Sequence, residues 1–163
     1  MRRSLLLLTT IALGVLMVSS VAQAASPTAK CLQEAQTLTG TTLTGYNVVV
    51  GNNRKNDDFS SKATGGADLF CGRGGDDSVP SLGLGDIFIG GVGGDTVTGS
   101  SDGTFYGGAG SDGVSYNYGT FYGGADNDYV FNNYAGATFN GEGGNDEVTN
   151  DLGGTFNQED LPA

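Results

Sequence analysis

No histidine and no tryptophan occur in the 163 residues, and no lysine or arginine follows Arg73. Each absence removes a class of function. Without imidazole there is no His-based general acid or base, and no Ser-centred elbow or Walker-type loop stands in its place. The glycine-rich loops lack the following helix and lysine that a phosphate site needs. The acid pairs Asp57-Asp58 and Asp76-Asp77 are chain neighbours, and neighbours on a strand point to opposite faces. No enzymatic activity is therefore expected. Beyond Arg73 the acids stand alone, within a formal net charge of −11. Such a surface repels nucleic acid and anionic lipid, both of which require Lys or Arg, and it attracts cations. Prolines number three and cysteines two, but glycines number 30. Glycine at that level without a triplet period excludes collagen, and regular apolar columns argue against disorder, which leaves a repeat architecture of single-domain length.

Long hydrophobic runs are absent except at the N terminus. Residues 1–24 read as a secretory signal peptide, with Arg2 and Arg3 as the charged region, an apolar run over residues 5–18, and Ala22-Gln23-Ala24 as the small-residue cleavage site. The run is short and wrongly flanked for a transmembrane helix; an uncleaved anchor is the alternative. Cleavage takes the formal charge from −11 to −13, because Arg2 and Arg3 leave with the leader. The expected location is secreted or extracellular, free or associated with the cell surface, with no membrane span after cleavage. An oxidising compartment favours a disulfide between Cys31 and Cys71. Closing that loop of about 40 residues is worth roughly 3 to 4 kcal/mol; two free buried thiols are the alternative.

The chain is rich in regularity. Phe88, Phe105, Phe121 and Phe139 each stand nine residues before Val97, Val114, Val130 and Val148, with a Gly-Asp loop in every interval. Upstream, Val50 stands nine before Phe59 and Phe70 nine before Val79, which makes six coils, and Thr155-Phe156-Asn157 adds a half coil. Spacing along each column runs from 16 to 20 residues, and from Phe70 onward the variation falls in the return segments. A loop of fixed length is constrained by something, whereas a loop of variable length is a connection. In Thr104-Phe105-Tyr106 and Thr96-Val97-Thr98 the middle side chain points opposite to its neighbours. Three-residue strands with Phe and Val inward would stack at about 4.8 Å into two parallel sheets, neighbouring coils supplying each other's core. The expected fold is all-β, a right-handed parallel β-roll or β-helix solenoid of about six short coils with an N-terminal cap. The divisions are the leader at 1–24, a cap segment at 25–47, the repeats at 48–158 and a short acidic tail at 159–163. Within the cap, residues 31–36 read as a helical turn, and 37–39 and 41–44 as strands.

Aspartate fills the sixth position of every loop: Asp57, Asp77, Asp95, Asp112, Asp128 and Asp146. Carboxylates stacked about 5 Å apart repel by roughly 1 kcal/mol in water and by more near a protein surface. With no base after Arg73, a bound cation is the economical neutraliser. Carboxylate and backbone carbonyl are hard oxygen donors, which select calcium over zinc or copper, and glycine lets a loop turn its carbonyls toward an ion. Plain β-turns, with each Asp bonding its own backbone, are the alternative.

Residues 90–98 and 107–115 read Gly-Gly-x-Gly-x-Asp-x-(large apolar)-x at every defined position. This resembles the calcium-binding nonapeptide of the RTX, or haemolysin-type, family, over roughly residues 72–149. The resemblance implies a parallel β-roll with calcium, four or five ions, between consecutive turns. It implies Asp77, Asp95, Asp112, Asp128 and Asp146 as ligands, with the loop glycines Gly72, Gly74, Gly90, Gly107, Gly123 and Gly141. Asp126, at a position normally glycine, would be an added ligand or a local distortion. Asp57 lies in a loop that also carries Arg54 and Lys55, which oppose an ion there. On the return side the equivalent aspartates are Asp68 and Asp86, an extra site, while later coils have Gly103, Gly119, Ala137 and Gly154. The ladder is thus expected on one side. The functional expectation is a calcium-binding module, structural or surface-associated, whose folding calcium promotes. The alternative is an adhesin-like ice- or glycan-binding module using the outward Thr104, Thr120, Thr138 and Thr155 with Tyr106, Tyr122, Asn140 and Asn157; against it, Thr is simply a good exposed strand residue.

Overall fold

A computed structural model describes residues 25–158. The proposed leader and the 159–163 tail lie outside the described residues. Twelve parallel-paired strands follow one helix, α1 (Pro27–Thr39). One sheet has seven strands: β1 (Asn47–Val50), β2 (Asp68–Cys71), β4 (Ile87–Val92), β6 (Thr104–Ala109), β8 (Thr120–Ala125), β10 (Thr138–Gly143) and β12 (Thr155–Asn157). The other has five: β3 (Ser78–Val79), β5 (Thr96–Ser101), β7 (Gly113–Asn117), β9 (Tyr129–Tyr134) and β11 (Glu147–Leu152). The five middle coils each contribute one strand to each sheet, while β1 and β12 belong to the longer sheet alone. A single bridge from Asp58 to Ser78 begins the shorter sheet.

Register makes the core. Phe70, Phe88, Phe105, Phe121, Phe139 and Phe156 are successive partners in one sheet, and Val79, Val97, Val114, Val130 and Val148 in the other. From Phe88 to Phe156 the rings stack face to face with centroids 4.7–4.9 Å apart and planes within 7°. No coil could bury such a face alone, and neighbours supply it.

Three expectations are corrected. Strands in the middle coils run five or six residues rather than three, because pairing continues into the glycines: Gly91 pairs Gly108 and Val92 pairs Ala109. At the first coil the Phe column is met by Val49, which pairs with Phe70 and packs on the core, whereas Val50 pairs with Cys71 and packs on the helix side. The first loop is thus one residue longer than the rest. Finally, residues 37–39 belong to α1 and 41–44 form no strand. The hydroxyls of Thr37 and Thr39 donate to the carbonyls of Gln33 and Ala35 at 2.8 Å, satisfying them within the helix. Ser26 caps the start by accepting from the Ala29 N–H, Pro27 occupies the first turn, and Gly40 ends the helix at φ 66°.

α1 lies on the outward face of the longer sheet. Its buried Cys31 and Ala35 pack with outward residues of the first strands, Val48, Val50, Leu69, Cys71, Ile87 and Ile89. The Cys31–Cys71 disulfide, with Cα atoms 6.1 Å apart, fastens it there. Among the described residues no helix is long and apolar enough to cross a membrane.

Candidate metal centre

The loops that join the Phe column to the Val column stack in the same register as the strands they connect. Their sixth-position aspartates form a ladder. The backbone N–H of Asp57 donates to Oδ1 of Asp77, and the pattern repeats from Asp77 to Asp95, Asp95 to Asp112, Asp112 to Asp128 and Asp128 to Asp146, at 2.7–2.9 Å. From Asp77 onward, a bond from coil to coil stands where the alternative of a plain turn would have each Asp bond its own loop. Each carboxylate therefore fixes the spacing of two coils.

One oxygen of each carboxylate is thereby satisfied and the other is not. Oδ2 of Asp77, Asp95, Asp112, Asp128 and Asp146 is buried without a hydrogen-bond partner among the described residues. A buried charged oxygen left unpaired costs more than a lost hydrogen bond between neutral groups. Five in one column call for a common partner.

The surroundings of these atoms show what sort of partner fits. A Cβ placed on Gly90 would lie 2.2 Å from Asp95 Oδ2 and 2.7 Å from the carbonyl oxygen of Gly107 in the next coil. The same pair of atoms surrounds the corresponding point on Gly72, Gly107 and Gly123, with carbonyls from Gly90, Gly123 and Gly141. Glycine is required here because the space belongs to oxygens. At these four loops one carboxylate oxygen and one carbonyl oxygen thus lie within 2.8 Å of the point that a methyl group would occupy. Both are hard donors, the type calcium takes. Among the described residues no three His, Cys, Asp or Glu side chains converge on one point. An ion between coils would be held by backbone carbonyls as much as by side chains, which is a habit of calcium rather than of zinc.

The remaining expected residues divide clearly. Asp57 has its Oδ2 taken by the Asn52 N–H, so the first loop carries no orphaned oxygen. Gly74 sits in the third position of its loop, aligned with Val92. Positive φ recurs instead at the second position, through Arg73, Gly91, Gly108, Gly124 and Glu142, and at the fourth, through Gly75, Gly93, Gly110, Asp126 and Gly144. Asp126 adopts φ 76° there and is exposed, and its side chain is not part of the buried ladder. On the return side, Asp68 N–H donates to Asp86 Oδ1, Asp68 accepts from Thr64 and Asn47, and Asp86 Oδ2 accepts from the Gly83 N–H. Every oxygen of that pair has a donor, so nothing in its geometry requires an ion.

Later coils carry a different polar column on the return side, a few residues before the Asp68/Asp86 position, that spacing alone did not reveal. Ser101, Asn117 and Asn133 are register partners and fully buried. Asn117 Nδ2 donates to Asn133 Oδ1 at 3.0 Å and to the Thr138 carbonyl at 3.2 Å. The clue was available in the shared offset of Asn117 and Asn133 from the Phe column, but no acidic residue marked it.

Burial pushes the ladder carboxyls up from their ordinary range: Asp77 to about 6, Asp95 and Asp128 to about 7, and Asp112 to about 8. The ladder N–H bonds oppose the rise and neighbouring aspartates add to it. The column thus demands positive charge, as protons or as a cation. No known family profile, characterised protein or solved structure matches this chain.

Proposed function

We propose that this chain is a secreted, calcium-binding β-roll whose folding is promoted by calcium, serving as a structural or surface-associated module rather than an enzyme. The supporting observation is the column of five buried, unpartnered Oδ2 atoms, four of them facing a glycine carbonyl of the next coil. The disulfide and the acid-only composition beyond Arg73 agree with an oxidising, calcium-rich exterior. Calcium supplies the charge that lets the ladder remain ionised. Asp77, Asp95, Asp112 and Asp128 would hold it with the carbonyls of Gly90, Gly107, Gly123 and Gly141, while the Oδ1 bonds keep the coils in register. At an extracellular-type dissociation constant of about 0.1 to 1 mM, millimolar calcium adds roughly 0.4 to 1.4 kcal/mol per site. Four such sites together add about 1.6 to 5.6 kcal/mol, a substantial part of the roughly 5 to 15 kcal/mol of net stability of a native domain.

Calcium titration of EDTA-stripped protein tests this. Circular dichroism and melting temperature should both respond, with calorimetry giving about four ions. No response to calcium in either signal would sink the reading.

A second reading has one observation in its favour. Thr104, Thr120, Thr138 and Thr155 are successive register partners, so the outward Thr rank is real. Sugar stacking is less well served, because Tyr106 and Tyr122 stack on each other at 4.9 Å and 4° and cover one another's faces. Ice-recrystallisation inhibition, compared with a Thr120→Val variant, checks the rank.

A further inference from the structure

Both edges of the longer sheet are open. Among the described residues β1 pairs only with β2, and β12 only with β10. β1 reads Asn47-Val48-Val49-Val50 and β12 reads Thr155-Phe156-Asn157, so neither carries the charge, proline or bulge that usually blunts an edge. An edge of this kind is a template for a further strand. α1 does not close it, because the helix packs on the outward face of β1 and not on its edge.

The two open edges are complementary. The N–H groups of Asn47 and Gly51 donate to the carbonyls of Ala67 and Cys71, so by alternation the N–H and C=O of Val48 and Val50 point away from β2. The Thr155 N–H donates to the Ala137 carbonyl, which leaves the N–H and C=O of Phe156 pointing away from β10. Placing Val49 of a second copy over Phe156 brings the Phe156 N–H to the Val48 carbonyl and the Val50 N–H to the Phe156 carbonyl. That is the parallel pattern by which the coils of one chain already join. The same register continues the core. Phe156 stacks one ring face on Phe139 and is half-buried, and Val49 is the half-buried first rung of the same column.

Charge selects the same pairing of ends. Residues 47–67 carry three bases, Arg54, Lys55 and Lys62, against two acids, whereas residues 138–157 carry four acids and no base. Two C-terminal ends therefore repel, and a C-terminal end attracts an N-terminal one. The shorter sheet stops one coil earlier, at β11, so the longer sheet carries the contact.

We propose that copies of this chain stack head to tail, β12 of one pairing in parallel with β1 of the next, Phe156 on Val49. The contact is heterologous and leaves an open end after every addition, so the product is a filament of rolls and not a closed dimer. It uses the fold alone and stands whether or not calcium occupies the aspartate ladder.

Sedimentation equilibrium of the chain in millimolar calcium, with small-angle scattering alongside, tests this. A three-residue strand makes a small contact, so association belongs at the weak end and should appear above about 0.1 mM. Mass should then rise with concentration without a limiting dimer, and scattering should show growth in length at constant cross-section. Phe156→Asp should block the C-terminal end, and Arg54→Glu with Lys55→Glu the N-terminal end, each weakening self-association by about tenfold or more. Circular dichroism checks that both variants fold. Mixed, they should form dimers of one copy each and nothing longer, since each retains the end that the other lacks. Monomers at every concentration, a parent that stops at a dimer, or a variant that grows as the parent does would overturn the proposal. A chain that stays monomeric yet folds on calcium defeats only the stack; one that grows without responding to calcium defeats only the metal reading.

Discussion

At Asp112, one carboxylate does two jobs that substitution can separate. Oδ1 accepts the Asp95 N–H at 2.7 Å, while Oδ2 stands buried near the Gly123 carbonyl. In Asp112→Asn the acceptor stays and the charge goes, so the variant should melt higher than the parent in EDTA at about pH 8 and lose one calcium in the titration. Asp112→Ala also strands the Asp95 N–H, and should cost about 1 to 3 kcal/mol in either condition. Gly107→Ala would place a methyl 2.2 Å from Asp112 Oδ2 and 2.4 Å from the Gly123 carbonyl. It should abolish that site and destabilise the roll even without metal. The pH dependence follows from the same carboxyls. Asp77, Asp95, Asp112 and Asp128 hold protons more tightly folded than unfolded, with folded values of about 6 to 8 against roughly 4 for an unfolded Asp. The stability this contributes is fully present below about pH 4 and is lost as pH rises through 6 to 8. Melting temperature in EDTA should therefore fall over that window, and calcium should restore most at its upper end.

Among the elements, the stacked phenylalanines and the fastened helix carry different loads. Phe105 is fully buried between two stacked neighbours, and Phe105→Ala should cost about 3 to 5 kcal/mol. Phe156, half-buried on the last strand, should cost clearly less. α1 is held by Cys31–Cys71 over the apolar outward residues of the first strands. Replacing both cysteines with serine should lower stability by about 3 to 4 kcal/mol, measured by denaturant melts, with loss of helical dichroism ahead of the β signal. The columns of Phe and Val were legible because a period-2 strand pattern repeats over every coil. α1 was only partly legible: Thr37 and Thr39 favour strands by propensity, but packing of Cys31 and Ala35 on the sheet extends the helix through them and their hydroxyls are satisfied by Gln33 and Ala35.

Over the whole molecule, most contacts join adjacent coils, the edge-on approach of Phe59 to Phe88 in the third coil being an exception, so stability should propagate along the stack rather than reside in one centre. β11 is exposed at nearly every residue, whereas the central strands bury Val97, Val114 and Val130 completely or nearly so. Hydrogen exchange should accordingly show β11 and β12 opening first, with calcium raising protection most in the coils that the orphaned oxygens join. Uniform protection along the roll, with or without calcium, would count against this gradient.

Composition and spacing alone determined the parallel two-sheet roll, the inward Phe and Val and the sixth-position aspartates, because each follows from side-chain alternation or a fixed repeat; the disulfide was only favoured, by the export reading, until the structure joined Cys31 to Cys71. The tertiary structure decided the rest. Which oxygen of each aspartate is taken depends on the N–H of another coil, 16 to 20 residues away. That Asp68 and Asp86 are satisfied while Asp95 and Asp112 are not depends on donors from Thr64, Asn47 and Gly83. The position of α1 on the sheet face depends on where a helix stops over strands it does not adjoin in sequence. A repeat fixes what each coil looks like; only stacking fixes what lies between them.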